Sequence, residues 1–71
     1  MKFELDYALY QKEQVWDWLI DNVGPSLFAT MNSSVGDGWE LSIVNFDGTR
    51  GKVRITIYDV SAATAFALRY T

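Results

Sequence analysis

Cysteine and histidine are both absent from this 71-residue chain. Their absence removes disulfide staples, thiol nucleophiles, the usual ligands of zinc, iron and copper, and the side chain that ordinarily titrates near neutral pH. We therefore expect a fold that is held together by packing alone, with no metal and no cofactor.

Positive charge is also scarce, because six Lys and Arg stand against nine Asp and Glu, for a net charge of −3. The six cations are scattered rather than clustered, so binding to nucleic acid is not expected. No apolar run approaches the roughly 20 residues that span a membrane, and the acidic first residues are not typical of a secretory signal. The sequence thus predicts a cytoplasmic protein with no membrane contact.

Apolar residues, by contrast, are abundant: 49% of the chain is hydrophobic and 15% is aromatic. A chain this short buries only about 60% of the surface that its unfolded state exposes, so it needs a dense core. The composition can supply such a core, and we expect residues 1–71 to form a single domain.

Two runs of alternating residues between Trp39 and Tyr58 indicate a β-hairpin. The apolar side chains of one face are Trp39, Leu41, Ile43, Val53, Ile55 and Ile57. Asp47-Gly48 and Gly51 lie between the two runs and favour a reversal of the chain. This predicts an antiparallel pair of strands with one apolar face for helices to cover.

Two amphipathic helices are predicted, one before the strands and one after them. Residues 8–23 place their apolar side chains mainly in one sector at 3.6 residues per turn, and Gly24-Pro25 ends this helix with a left-handed glycine cap. The last helix covers about 60–70 and is capped by Asp59 or Ser61. Its apolar stripe comprises Ala63, Phe66, Ala67 and Tyr70.

A third strand is predicted over residues 26–31. Polar and apolar side chains alternate in residues 2–7, so this stretch forms either an extended segment that leads into the first helix or a short N-terminal strand. Residues 32–38 are rich in Ser, Asn, Asp and Gly and are expected to form the least ordered turn. The predicted fold is α+β, with two helices on one face of a three-stranded antiparallel sheet in the order α-β-β-β-α.

This order of elements is similar to that of double-stranded-RNA-binding domains. Those domains carry a basic cluster at the start of their last helix. The corresponding stretch here, residues 59–64, begins with an acid and contains no Lys or Arg, so it offers no donor to phosphates. The resemblance therefore implies a shared topology, with a degenerate RNA-binding domain as the third-ranked function.

The last twenty residues run from an alternating strand into a helix marked by Asp59, Ala62, Ala65, Phe66, Leu68, Arg69 and Tyr70. This end of the chain resembles the C-terminal end of small uncharacterised proteins of tailed bacteriophages. The resemblance implies a phage accessory protein located in the host cytoplasm, and it assigns no functional residue. A helix cap, an alanine-rich stripe and a terminal aromatic side chain account for the same positions in structural terms.

A first candidate contact surface lies on the first helix, opposite its apolar stripe. Its residues are Tyr10, Gln14, Asp17, Trp18 and Asp21. Aromatic side chains beside carboxylates are typical of protein interfaces, where rings anchor the partner and acids steer it. The alternative is that Trp18 covers the rim of the core or packs under residues 3–5.

A second candidate surface is the outward face of the hairpin. Its residues are Val44, Phe46, Arg54 and Tyr58. A solvated face with cross-strand pairs, such as Glu40 with a cation, is the alternative. Such a face could also bury itself against a second copy, so a homodimer is a candidate assembly.

No catalytic site is predicted. Asp17 and Asp21 fall one helical turn apart on an exposed face, which offers no pocket to separate their pKa values. Asp37 and Asp47 lie in turns, where aspartate commonly bonds its own backbone.

The leading hypothesis is a small non-catalytic protein-binding module. Its implied role is that of a phage-encoded accessory or inhibitor protein that occupies a surface of a larger host or phage protein. The alternative is a self-associating structural subunit that pairs through the hairpin face or a strand edge.

Overall fold

The computed structural model describes residues 1–48 and 50–70, which form a five-stranded antiparallel sheet and three helices. In chain order the elements are β1 (Lys2–Asp6), α1 (Tyr7–Lys12), α2 (Val15–Asn22), β2 (Ser26–Ala29), β3 (Ser33–Gly36), β4 (Trp39–Val44), β5 (Lys52–Ile57) and α3 (Val60–Tyr70). The strands lie side by side in the order β1-β5-β4-β3-β2. The predicted α+β class is therefore confirmed, whereas the predicted numbers of strands and helices are too low.

The predicted hairpin is confirmed as β4 and β5, which pair with Leu41 opposite Ile55. Its apolar face supplies five of the ten core side chains, and Ile43 packs against them half-buried. The core comprises Leu5, Val15, Leu19, Trp39, Leu41, Val53, Ile55, Ile57, Ala63 and Phe66. All three helices contribute to this core or pack against it, so they share the inner face of the sheet and leave the outer face open.

The N-terminal alternation forms β1, a full edge strand that pairs with β5. Phe3 and Leu5 face inward opposite Ile55 and Val53. The partner strand lies about 50 residues further along the chain. The main sequence signal for β1 is therefore the alternation within residues 2–6 themselves.

The prediction of a poorly ordered turn over residues 32–38 is wrong, because Ser33–Gly36 forms β3 between β2 and β4. Gly36 lies opposite Trp39, and its lack of a side chain leaves room for the buried indole. At this position a residue that favours a turn in isolation is required by the bulk of the neighbouring ring.

The single predicted helix over residues 8–23 is also wrong, since the chain breaks it into α1 and α2. Gln14 adopts the left-handed conformation with φ of 51° at the break. The reorientation lets Val15 and Leu19 reach the core, whereas α1 buries no residue completely.

Gly24-Pro25 follows the end of α2 as predicted, but Gly24 is not left-handed. Its lack of a side chain is required for a different reason, because a Cβ there would lie 2.2 Å from the carbonyl oxygen of Asp37. The close approach ties the end of α2 to the turn between β3 and β4.

The last helix matches its prediction. The Asp59 carboxylate accepts a hydrogen bond from the backbone N–H of Ala62 at 2.8 Å, which caps α3. Ala63 and Phe66 are buried on the predicted stripe, and Ala67 and Tyr70 are half-buried.

Candidate functional site

The structure divides the candidate surface that the sequence places on the first helix. Gln14, Asp17 and Asp21 are exposed, but Tyr10 and Trp18 are half-buried against the core. Tyr10 lies on α1, Gln14 lies at the break, and the other three members lie on α2, so these five residues do not lie on one helix.

Trp18 covers the rim of the core. Its ring lies edge-on to Phe66 and Tyr70, with centroid distances of 5.6 and 5.9 Å. Edge-to-face pairs of this kind stabilise the fold beyond the area that they bury. Replacing Trp18 would therefore disturb α3 as well as the surface, and Trp18 is unsuited to test binding alone.

The Tyr10 phenol is held neutral by its surroundings. Burial raises its pKa above the ordinary 10.0, and the negative charges of ionised Tyr7 and of Asp17 add to the shift. Since the folded-state pKa is raised, this phenol contributes stability below pH 10.0 that is lost as the pH rises through the raised value.

The candidate surface on the hairpin is only partly assembled. Val44, Arg54 and Tyr58 belong to the outer face or its border, but β4 ends before Phe46. The Phe46 ring instead packs against the Tyr7 ring with a centroid distance of 4.7 Å. The prediction that Phe46 alternates outward with the strand is wrong, because the chain turns through Asn45 in the left-handed conformation with φ of 54°.

The polar side chains of the outer face pair with one another. Arg54 Nε donates to Glu4 Oε2 at 3.2 Å, and Lys52 donates to Asp6, which raises the pKa of the ammonium group. These pairs are exposed and add little stability, but they join β5 to β1 across the sheet.

The sequence predicts a cation as the partner of Glu40, but the structure gives it a different partner. Tyr58 donates its phenolic hydrogen to Glu40 Oε2 at 2.7 Å, and this hydrogen bond is the main cause of the raised Tyr58 pKa. The outer face of the hairpin is therefore a solvated sheet face with cross-strand partners.

Four exposed apolar side chains lie on β2, on β3 and on the turn between them, a part of the sheet for which the sequence predicts no site. Leu27 is 67% exposed, Phe28 66%, Met31 93% and Val35 39%. We call these four residues the edge surface. Phe28 and Val35 are direct cross-strand partners, and a shift in register between Ser26 and Phe28 leaves Leu27 without a partner on β3.

The two edges of the sheet differ sharply in charge. β1 carries Lys2, Glu4 and Asp6, two of which form ion pairs with β5. Residues 22–36, which include β2 and β3, contain no charged side chain. Charge on an edge strand discourages further pairing, so β1 is protected and β2 lacks this protection. This uncharged stretch was the one signal of the site in the sequence.

Among the clefts on the surface of the described residues, three differ in the charge of their walls. One of about 530 Å³ includes Asp6, Arg50 and Lys52 in its wall, and one of about 520 Å³ lies on the outer sheet face beside Lys2 and Glu4. The third, of about 260 Å³, adjoins the edge surface and is lined by uncharged residues alone.

Within residues 1–48 and 50–70, no group of three or more Asp or Glu side chains lies close enough together to hold a metal ion. None of the helices that the structure describes is long and apolar enough to cross a membrane. No protein-family model, curated protein or solved structure matches this chain.

Proposed function

We propose that this chain is a small non-catalytic protein-binding module whose contact site is the edge surface. The observation that carries the proposal is the contrast between two strand edges of one sheet, one charged and ion-paired, the other uncharged and apolar. The resemblance of the last twenty residues to tailed-phage proteins extends the proposal to a role: an accessory or inhibitor protein that occupies a surface of a larger host or phage protein.

A partner would bind by adding a strand to β2. β2 is the last strand of the described sheet, so the backbone groups on its outer side face no further strand. In this mode of recognition, main-chain hydrogen bonds supply affinity and side chains at alternate positions supply specificity. Phe28 is the aromatic anchor of the surface, and Leu27 and Met31 extend the apolar area around it.

The chemistry of the edge surface supports a binding role rather than a catalytic one. Leu27, Phe28, Met31 and Val35 carry no titratable or nucleophilic group. General acid–base and nucleophilic catalysis both require such groups within hydrogen-bond reach of the reacting atoms. Instead, the edge surface offers apolar contact area and shape to a partner.

Substitution of the edge surface tests the proposal directly. We expect the double variant Leu27→Lys, Phe28→Lys to weaken partner binding at least tenfold, because it places two charges where an apolar anchor must be desolvated. The measurement is capture of partners from a host lysate on immobilised wild-type protein, followed by titration of the identified partner against each variant.

The chain offers a matched control in α3, where Val60 and Leu68 are 71% and 83% exposed. The double variant Val60→Lys, Leu68→Lys introduces the same charges at similar exposure and should bind the partner as the wild type does. Circular dichroism should show native helix and sheet content in both variants. Equal binding by the edge variant and the wild type, or loss of binding by the α3 variant alone, would contradict the proposal.

Self-association through the same edge is the second candidate function. A two-fold axis through β2 pairs two copies in an antiparallel manner, which matches every other pair in the sheet. Because residues 22–36 carry no charge, such a pairing brings no charged side chains of β2 or β3 opposite one another. Light scattering of the purified protein over a range of concentrations distinguishes this candidate, since a dimer that the edge double variant abolishes would support it.

The third hypothesis, a degenerate RNA-binding domain, gains no such support. Lys52 and Arg54 are already paired with Asp6 and Glu4, and the start of α3 has no cation. We do not propose RNA as a ligand.

A further inference from the structure

We propose that Met31 is a reversible oxidation site, at which a peroxide converts the thioether of the side chain to a sulfoxide and so weakens binding through the edge surface. This inference rests on the proposed function of the edge surface and adds a chemical means of control. It makes the contact surface sensitive to an oxidant while the fold beneath it is not.

Sulfur chemistry in this chain is confined to two thioethers. The chain has no cysteine, and its only sulfur atoms belong to Met1 and Met31. In most proteins an accessible thiolate is a ready target of peroxides. Because that competitor is absent here, the two methionines are the side chains from which a mild peroxide draws electrons.

Met31 lies in the turn between β2 and β3 and is open to solvent. It is 93% exposed, the highest value of any large hydrophobic residue in residues 1–48 and 50–70. Exposure determines how readily a side chain meets an oxidant in solution. Met1 is 59% exposed and directly precedes β1, at the opposite edge of the sheet. The chain thus has one accessible thioether near each edge, and only Met31 belongs to the edge surface.

The turn that carries Met31 is held by its neighbours. The Thr30 N–H donates to the Ser33 carbonyl oxygen at 2.7 Å, and the hydroxyl oxygens of these two residues lie 3.0 Å apart. The Ile43 N–H donates to the Asn32 carbonyl oxygen at 2.7 Å. None of these bonds involves the Met31 side chain, which also lies outside the core of the described residues. A change of polarity at Met31 should therefore leave the turn and the core intact.

Oxidation of Met31 needs no reactant besides the peroxide. The sulfur lone pair attacks one oxygen of hydrogen peroxide, an S–O bond forms as the O–O bond breaks, and the departing hydroxide takes the remaining proton to leave as water. The sulfur is oxidised and the peroxide is reduced by the same pair of electrons. The product is a polar, chiral sulfoxide in place of a flexible apolar side chain.

The sulfoxide changes what the edge surface offers to a partner. Its oxygen is a hydrogen-bond acceptor that must lose water when an apolar contact forms, and burial of such a group without a donor is unfavourable. The other members of the surface, Leu27, Phe28 and Val35, have hydrocarbon side chains and supply no donor. We expect oxidation to weaken binding about tenfold. Methionine sulfoxide reductases restore the thioether, so the change is reversible.

Treatment of the full chain with hydrogen peroxide tests the inference, with the Met31→Leu variant as the matched control. Leucine keeps an apolar side chain of similar volume and leaves Met1 as the only sulfur-containing residue. Mass spectrometry of proteolytic peptides should locate one added oxygen atom at Met31 in the treated wild type. Circular dichroism and urea denaturation should show the same fold and stability before and after treatment.

Retention on a phenyl matrix measures the apolar surface without knowledge of the partner. Peroxide should make the wild type elute earlier, by more than it shifts Met31→Leu, which reports the contribution of Met1 alone. Methionine sulfoxide reductases for both epimers, with dithiothreitol, should restore the original retention of the wild type. Binding of the captured partner should fall about tenfold for the oxidised wild type and stay unchanged for the treated Met31→Leu variant.

The outcomes separate this inference from the proposed function. Absence of oxygen at Met31, equal shifts in retention for the wild type and Met31→Leu, or unfolding on oxidation would overturn the oxidation site whether or not a partner is found. Partner binding that is lost in the double variant Leu27→Lys, Phe28→Lys but persists after oxidation of Met31 would overturn the control and leave the proposed function standing.

Discussion

Replacing Phe66 with alanine is expected to lower the free energy of unfolding by about 3–5 kcal/mol. Phe66 is fully buried, and its ring lies 4.7 Å from the Phe3 ring and 4.8 Å from the Tyr70 ring between centroids. Trp18 packs on it from α2. A chain of 71 residues is stable by about 4–11 kcal/mol in total, so this loss would remove a large share of its stability.

Urea denaturation followed by tryptophan fluorescence measures this loss. Phe46→Ala is the matched control, because Phe46 is 44% exposed and has Tyr7 as its aromatic neighbour. The control should cost about 1 kcal/mol. Equal losses for the two variants would show that Phe66 does not join β1, α2 and α3 as described.

Gly36→Ala is expected to destabilise the fold by about 3 kcal/mol or more. An added Cβ would lie 2.0 Å from Trp39 Cε2 and 2.2 Å from Trp39 Nε1. The indole cannot move aside, because it is fully buried and its Nε1 donates to the carbonyl oxygen of Gly24 at 2.8 Å. Displacing the ring would break that hydrogen bond and open the core.

Gly48→Ala provides the comparison, since nothing lies within 4 Å of the added methyl group there. Gly48 has φ of 101°, so strain alone should cost about 1–2 kcal/mol. Chemical denaturation of both variants separates a steric clash from backbone strain. A Gly36→Ala variant no less stable than Gly48→Ala would contradict the packing of Trp39.

Local patterns were sufficient for the hairpin and for α3. The two alternating runs needed only a reversal between them, and Asp59 followed by an alanine-rich stripe marks the last helix within a dozen residues. In both cases the signal and the structure lie in the same short stretch. The local pattern alone does not decide between a strand and an extended segment for β1, because its pairing with β5 depends on contacts distant in sequence.

Two predictions were wrong for reasons that the local pattern does not contain. The small residues of β3 are typical of a turn, and the Trp39 indole, which requires a glycine at position 36, lies outside that local pattern. The apolar period of residues 8–23 continues through Gln14, and tertiary packing breaks the helix there so that Val15 reaches the core.

The edge surface was not predicted because the exposure of Phe28 depends on sheet order. An alternating strand places one face inward whether it lies at the centre or at the edge, and only the order β1-β5-β4-β3-β2 makes β2 the last strand. The absence of charge over residues 22–36 was visible in the sequence, but it acquires meaning only beside the ion-paired edge of β1.

Hydrogen exchange, measured on the free protein and on its complex with the captured partner or a second copy, tests the central claim most directly. If the partner adds a strand to β2, the backbone amides of residues 26–29 will exchange more slowly in the complex and those of residues 2–6 will exchange at the same rate. Protection confined to β1, to the outer sheet face or to α3, with β2 unchanged, would contradict the assignment of the edge surface.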